Sequence, residues 1–406
     1  MQIYLVGGAV RDQLLEIEVT DQDWLVVGST PENMLEQGYQ AVGKDFPVFL
    51  HPKTKQEHAL ARTERKSGHG YTGFECYFAP DVTLEQDLMR RDLTINAMAQ
   101  DNSGHIIDPY GGQDDLDKRI LRHVSEAFTE DPLRVLRVAR FAAKLHHLGF
   151  TVAPETMALM KRITGAGELE HLTAERVWQE WHKSLQTHSP HIFLSVLHKC
   201  GALNCILPEL DCLFGIPQPE KWHPEIDTGV HVLMVAEQAA VLSNSPLVRF
   251  AAQLHDLGKG ATPKEEWPSH KLHEHRGIAI IEQVCERLRV PKDYRQLALL
   301  VCEQHTNVHR ANELREATVL KVLNKVDAWR KPERLEQVLL CCQADHAGRK
   351  GLEKVPYPQR HRFEQAYQVA LTVDVQSIIR DGFTGSDIKP QLEKRRLEAI
   401  RLAEKT

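Results

Sequence analysis

The first two glycines constrain this chain more than any other feature. Ile3-Tyr4-Leu5-Val6 is a short apolar, β-prone run, Gly7-Gly8 breaks it, and Ala9-Val10-Arg11-Asp12-Gln13-Leu14-Leu15 reads as the start of a helix. A strand, a glycine turn and a helix start, in that order, bring backbone N–H groups up to an oxyanion, so the pattern predicts a phosphate cradle. Arg11, one turn into the helix, adds a forked cation.

Shortly after, Asp21-Gln22-Asp23-Trp24-Leu25-Val26-Val27 reads as a second strand that opens with two carboxylates. Residues i and i+2 of a strand share a face, roughly 6–7 Å apart. Hard oxygen donors beside a phosphate cradle suit Mg²⁺, the layout of metal-assisted phosphoryl or nucleotidyl transfer. A Gly-Gly turn or an Asp-x-Asp alone is usually just a turn or a strand end; their order and closeness carry the reading.

A length of 406 residues leaves room for two or more domains with their own cores. The net charge of −6 gives no overall attraction to nucleic acid, so an RNA grip must come from local basic patches. No apolar run approaches the roughly 18 residues of a membrane span, and the apolar segment before Gly7 is too short for a signal peptide. The eight cysteines contain no C-x-x-C pair, which predicts reduced, mostly buried thiols in a cytoplasmic protein.

Along the chain, residues 1–115 read as mixed α/β. A helix is expected over 31–39, strands over 40–43, 48–50 and 57–61, and a helix over 84–100. Glu57 is a candidate third carboxylate beside Asp21 and Asp23. Residues 62–71 are charged, then glycine-rich, and read as a mobile loop. The turn Asp108-Pro109-Tyr110-Gly111-Gly112 ends this part, and 119–220 reads as helical throughout. Glu130-Asp131 opens a helix there, with carboxylates at its positive end. Arg134, Arg137 and Arg140 recur on one broad face opposite Val135, Leu136, Val138, Ala139 and Phe141, a face that is either solvated or binds polyphosphate and RNA. The proline-rich stretch 208–224 reads as a domain boundary.

Histidines crowd the second half. His231 sits in a helix running to Leu242. An apolar helix over 247–254 ends in His255-Asp256-Leu257-Gly258-Lys259, with Gly258 as its cap. His270, His273, His275 and His305 follow. An adjacent His-Asp pair gives one borderline and one hard ligand, which suits a divalent transition metal. The candidate ligands are His231, His255, Asp256 and His305, with His275 as an alternative to His305; His270, His273 and Asp345 carry less weight. Residues 351–406 are helical and charged, and Lys394-Arg395-Arg396 reads as a solvated face or an RNA contact.

Gly7-Gly8-Ala9-Val10-Arg11-Asp12 and Asp21-Gln22-Asp23-Trp24 are followed by Arg90-Arg91-Asp92-Leu93-Thr94-Ile95-Asn96-Ala97-Met98 and Glu130-Asp131-Pro132-Leu133-Arg134. Together they resemble the signature of class II tRNA nucleotidyltransferases (CCA-adding enzymes) and of bacterial poly(A) polymerases. The histidine order is similar to the HD phosphohydrolase pattern, so the chain resembles bacterial CCA-adding enzymes that carry a C-terminal HD domain. That resemblance implies an α+β nucleotidyltransferase head with a small mixed sheet over 1–118 and an all-α neck and tRNA-binding region over 119–222. An HD phosphohydrolase domain over 223–332 and a C-terminal helical region over 333–406 complete it. It implies CTP, ATP and tRNA as partners, no membrane, and a monomer or homodimer. By the same resemblance, Asp21 and Asp23 are expected to hold Mg²⁺, Gly8, Arg11 and Arg91 to contact phosphate or ribose, Asp131 and Arg134 to choose the base, and Arg137 and Arg140 to face triphosphate or RNA. For the HD segment it implies 2′,3′-cyclic phosphodiesterase, 2′-nucleotidase and phosphatase activity, favoured by Ni²⁺. The alternatives are a poly(A) polymerase with the same head, or the phosphohydrolase as the main activity.

Overall fold

Strand β1 (Gln2–Val6) runs antiparallel to β2 (Asp23–Val27) with Val6 opposite Asp23, so the glycine turn after β1 emerges beside the carboxylates that precede and open β2. The structure is a computed structural model that describes residues 1–42, 48–66 and 74–403. It divides into two units, Met1–Ser184 with Ile192–Ile206, and Leu185–His191 with Leu207–Thr406.

In the first unit β3 (Gln40–Val42), β4 (Val48–Leu50) and β5 (Glu57–Leu60) follow β2. A separate antiparallel pair, β6 (Thr63–Lys66) and β7 (Phe74–Tyr77), comes next. The short strands β8 (Ala99–Gln100) and β9 (Ile106–Ile107) complete a seven-stranded sheet in the order β3-β4-β5-β2-β1-β8-β9. Its pairings are antiparallel except β2 with β5, which run parallel with Trp24 beside His58. Alternation along β2 feeds two cores. Leu25 packs with Val6, Leu84, Leu88 and Ala97 on one face, and Val26 with Met34, Phe49 and Leu60 on the other. Asp23, two residues before Leu25, shares that residue's face.

Several expected elements differ. The helix expected over 84–100 is Leu84–Met89 only, started by a Thr83–Gln86 capping box. Beyond it Asp92 accepts the Leu93 N–H, a local bond that competes with a helical one, and Thr94 Oγ1 donates to Asp115, a contact 21 residues away in the chain. A 3₁₀ turn, Thr94–Asn96, and β8 take the rest. Part of the expected loop over 62–71 is strand β6, because a ladder with β7 overrides its charged composition; residues 67–71 lie outside the described residues, as does Gly43 of the strand expected over 40–43. The stretch 119–220 is not helical throughout. β10 (Ile120–Leu121) and β11 (Thr151–Val152) pair in parallel, flanked by the positive φ of Arg119 and Gly149, which interrupt helical winding. The helix Leu133–Leu145 is buried on nearly every side, Arg134 included.

The second unit is helical. Pro246–Leu254, buried from Val248 to Leu254, packs against Thr228–Leu242, Lys292–His309 and Pro332–Ala347. The Asp227 side chain caps Thr228–Leu242 by accepting the Val230 N–H at 2.9 Å. Gly258 is not a helix cap, since its φ is not positive and it lies in the 3₁₀ turn Leu257–Ala261. A Cβ there would lie 1.9 Å from the His273 carbonyl oxygen and 2.6 Å from the Gly277 nitrogen. Glycine at 258 therefore lets the helix His273–Arg287 come against the turn that follows Asp256.

Candidate functional site

All nine nucleotide-site residues singled out in the sequence, Gly8, Arg11, Asp21, Asp23, Arg91, Asp131, Arg134, Arg137 and Arg140, line one cleft of about 680 Å³ in the first unit. Gly7 turns the chain with φ +70°, and a Cβ on it would meet Arg91 Nη1 at 2.8 Å. Here glycine is required both by conformation and by the close arginine. Asp21 and Asp23 are exposed to water. The parallel register of β2 and β5 puts Glu57 alongside Asp23. Among the described residues, though, Asp21, Asp23 and Glu57 are not one of the groups whose donor atoms lie within 4.8 Å of one another. The two aspartates are hard oxygen donors open to the cleft, and that donor set fits Mg²⁺.

Behind these carboxylates the cleft is built of guanidinium groups, most of them held by an anion. Arg11 Nε donates to Asp12 at 2.7 Å and its Nη1 to Asn96 Oδ1 at 2.5 Å, while Lys144 meets the other Asp12 oxygen at 3.1 Å. Asn96 Nδ2 in turn donates to Asp92 at 3.0 Å, and Arg137 Nε does so at 2.8 Å. Burial would push the Asp92 carboxyl up, but Arg137 and Asn96 hold it well below the usual carboxylate range. Arg140 Nε donates to Glu180 at 2.5 Å. The Phe141 ring is ringed by Arg140, Arg11 and Arg137 at 4.3, 5.1 and 5.7 Å, an aromatic face among cations. Arg134 donates to the Ala127 carbonyl, and Asp131 accepts from the Leu133 N–H and from Arg176. The sequence reading missed Asp92, Asn96, Lys144 and Arg176. Only Asp92 and Asn96 had a signal, their place in the Arg90–Met98 motif.

In the second unit the structure brings together His231, His255, Asp256 and His305, and adds Asp345 and His273. His231, His255 and Asp345 form one group of donor atoms within 4.8 Å, and Asp256, His273 and His305 another. Asp256 touches both: Oδ2 lies 3.1 Å from His255 Nε2, and Oδ1 3.2 Å from His273 Nε2. Asp345 Oδ1 lies 3.1 Å from His231 Nε2, and its Oδ2 is 2.6 Å from His309 Nε2. Burial and the neighbouring imidazole of His273 push His305 down to about 3, so its imidazole is neutral near neutral pH. Burial would raise Asp256 and Asp345. The imidazoles around them, with Lys259 beside Asp256 and Arg349 beside Asp345, hold both ionised well below the usual range.

The donor set fits a divalent transition metal on an observation of its own. His255 Nε2 and Asp256 Oδ1 are buried and make no aligned hydrogen bond despite polar atoms within 3.2 Å, and the Nε2 atoms of His273 and His305 face each other at 3.0 Å. Converging lone pairs of this kind call for a cation. His275 is exposed and outside both groups, and His270 Nε2 is taken by the Pro217 carbonyl at 2.8 Å. His273 was underweighted because its approach depends on Gly258, which no histidine spacing reveals. At the far end of the chain Arg395 donates to Ser377, and Arg396 lies over the Trp329 ring at 3.7 Å.

Cleft and cluster define a class, a nucleotidyltransferase head with a small mixed sheet joined to a helical HD protein. Residues 3–122 match the family described as poly A polymerase head domain, 149–213 that described as probable RNA and SrmB- binding site of polymerase A, and 228–329 the HD domain. The multifunctional CCA protein of Vibrio cholerae serotype O1 (strain M66-2) is 72% identical over 400 residues, 98% of this chain and 99% of the relative. That of Vibrio campbellii is 69% identical over 403 residues, 99% of each. The chain belongs to the multifunctional CCA protein family. Its fold matches the Bacillus stearothermophilus CCA-adding enzyme in complex with CTP with a TM-score of 0.65 at 22% identity, covering 99% of this chain and 89% of that one. The Thermotoga maritima CCA-adding enzyme complexed with tRNA matches with 0.63 at 20%, covering 98% and 87%. Likeness to CCA proteins along the whole chain, not the head alone, sets the poly(A) polymerase alternative aside. No helix of the described residues is long and apolar enough to cross a membrane.

Proposed function

We propose that the first unit adds and repairs the 3′-terminal CCA of tRNA from CTP and ATP, without a nucleic acid template, releasing pyrophosphate. The observation that carries this is convergence: motifs from four separate stretches of chain face one cleft. The names of the relatives support it. Asp21 and Asp23 are the residues to hold Mg²⁺, which when bound lowers the pKa of the terminal ribose 3′-hydroxyl and offsets triphosphate charge. Gly8, Arg11 and Arg91 bind phosphate or ribose, with Asn96 and Asp12 aiming Arg11. Asp131 accepts from the exocyclic amine of C or A while Arg134 donates to a ring nitrogen or carbonyl; U and G would set a carbonyl against a carboxylate. Arg137 and Arg140 face triphosphate or RNA backbone, steadied by Asp92 and Glu180. We read 1–118 as head, 119–222 as neck and tRNA-binding region, 223–332 as HD domain and 333–406 as a C-terminal helical region. The setting is the cytoplasm, with a monomer or homodimer as the working form.

The test is extension of a tRNA transcript lacking its last three nucleotides, with Mg²⁺ and CTP, ATP or both. Two C added with CTP alone, and a final A only when ATP is present, is the expected product ladder. A long run of A with ATP alone would overturn the reading.

For the second unit we propose a metal-dependent phosphohydrolase acting on 2′,3′-cyclic phosphates, 2′-nucleotides and phosphomonoesters, with Ni²⁺ as a favoured metal. His231, His255, Asp256 and Asp345, with His273 and His305, are the residues to hold metal, which when bound supplies a hydroxide-like nucleophile near neutral pH. Lys259, a buried cation with Nζ 2.7 Å from Asp256, is the group we assign to the charge of the phosphoryl substrate. Phosphate release from a 2′,3′-cyclic nucleotide by the Ni²⁺-loaded protein tests this. Release that survives in the His255→Ala, Asp256→Ala double variant would sink it.

A further inference from the structure

Asp131 is the carboxylate on which the proposed base choice turns, and the structure engages both of its oxygens. Oδ1 accepts the Leu133 backbone N–H at 3.0 Å, and Oδ2 accepts from Arg176 Nη2 at 2.8 Å. Arg176 lies outside the motifs that marked this cleft in the sequence, yet it lines the same cleft. It comes from the helix Ala174–Leu185. One turn further along that helix, buried Glu180 receives Arg140 at 2.5 Å. A single helix face thus presents a cation to Asp131 and an anion to Arg140.

We propose that Arg176 is a positioning residue for nucleotide selection. Its guanidinium fixes the plane of the Asp131 carboxylate so that the remaining lone pairs meet the amine of C or A and oppose the carbonyl of U or G. The proposal rests on the reading of the first unit as a nucleotidyltransferase that selects C and A. An ionised carboxylate is acceptor-only with about two lone-pair sites on each oxygen, so one bond to each still leaves room for a base amine. A carboxylate held at one oxygen alone can turn about its Cβ–Cγ bond and let a water stand between it and a base carbonyl. Held at both, it stays where a wrong base meets an unpaired acceptor, the arrangement from which polar sites draw discrimination.

The test compares kcat/KM for CTP, ATP, UTP and GTP on tRNA lacking CCA, in the wild type and in Arg176→Gln, Arg176→Lys and Glu180→Gln. Arg176→Gln is expected to lower the CTP-over-UTP preference by about tenfold to a hundredfold, with Arg176→Lys between it and the wild type. Glu180→Gln disturbs the same helix contact without touching Asp131, so its CTP-over-UTP preference stays at the wild-type value even where its rates fall. Rates that fall equally for all four nucleotides in Arg176→Gln would show a merely structural residue and overturn the proposal. An equal loss of preference in Glu180→Gln would do the same. If the wild type added neither CTP nor ATP, the reading of the first unit would fail and this inference with it. A wild type that adds both, beside an Arg176→Lys variant with unchanged preference at reduced rate, would sink the inference alone.

Discussion

The cleft of the first unit and the cluster of the second meet the same difficulty, gathering like charges, in opposite ways. In the cleft, cations are held by anions set among them: Asp12 for Arg11 and Lys144, Asp92 for Arg137, Glu180 for Arg140. Asp21 and Asp23 stay in water. In the cluster the donors are almost wholly buried, and Asp256 is shared between two sets of imidazoles. A site for a large, mobile polyanion has to stay open, so it keeps its cations ready with internal partners. A site for a small ion can close round it, so its donors are left facing one another.

The largest expected effect separates the two outright. Asp21→Ala or Asp23→Ala is expected to cut nucleotide addition by at least about a thousandfold while tRNA binding and phosphate release by the second unit persist. A gel assay for extension beside a filter assay for tRNA reads both, and loss of all three would deny the comparison. Next, His255→Ala with Asp256→Ala should strip bound transition metal from the purified protein, measured by elemental analysis. Nucleotide addition should stay within about twofold, as for independent sites. Retention of a full metal complement would break the assignment of the cluster.

Gly258→Ala sharpens the contrast through packing. The new methyl group would run into the His273 backbone, and a cost of about 3 kcal/mol or more is expected. Thermal unfolding should show the loss together with weaker metal binding, with CTP binding unchanged. Unaltered stability would mean that the turn relaxes away from the helix.

The smallest effect is a charge effect in the cleft. Asp92→Asn removes the anion that Arg137 faces and should cost about 2 kcal/mol at neutral pH. Because the folded carboxyl is held below its ordinary value of 3.8, the pair stabilises the protein above that value and the contribution fades as pH falls below it. The difference in Tm between wild type and variant should therefore narrow below about pH 4. A constant gap down to pH 3 would assign the effect to shape instead of charge.

How far the sequence revealed each site follows from this contrast. The cleft was legible because its chemistry lies in short contiguous strings, and a strand, a turn and a helix start place their own residues. What it hid were the partners that arrive through tertiary packing, such as Lys144 on Asp12 and Arg176 on Asp131. In the cluster, the His255-Asp256 pair stood out because the two are adjacent. His273 and Asp345 did not, since one depends on a glycine 15 residues earlier and the other on a helix 89 residues away from Asp256. The overestimated helix at 84–100 has a physical source too: Asp92, Thr94 and Asn96 spend their side chains on bonds to Leu93, Asp115 and Arg11 that apolar periodicity does not register.

The ladder between β1 and β2 has a consequence for how this protein would fail. Val6 sits opposite Asp23, and the same backbone bonds that hold the sheet set the gap between glycine turn and carboxylates. A slip of one residue would turn the carboxylates to the other side of the sheet, and a slip of two would carry them about 7 Å along it. The sheet is thus a measuring rod as well as a scaffold. Damage to it would first be heard as silence from the chemistry, in a molecule whose outline and solubility still passed for intact.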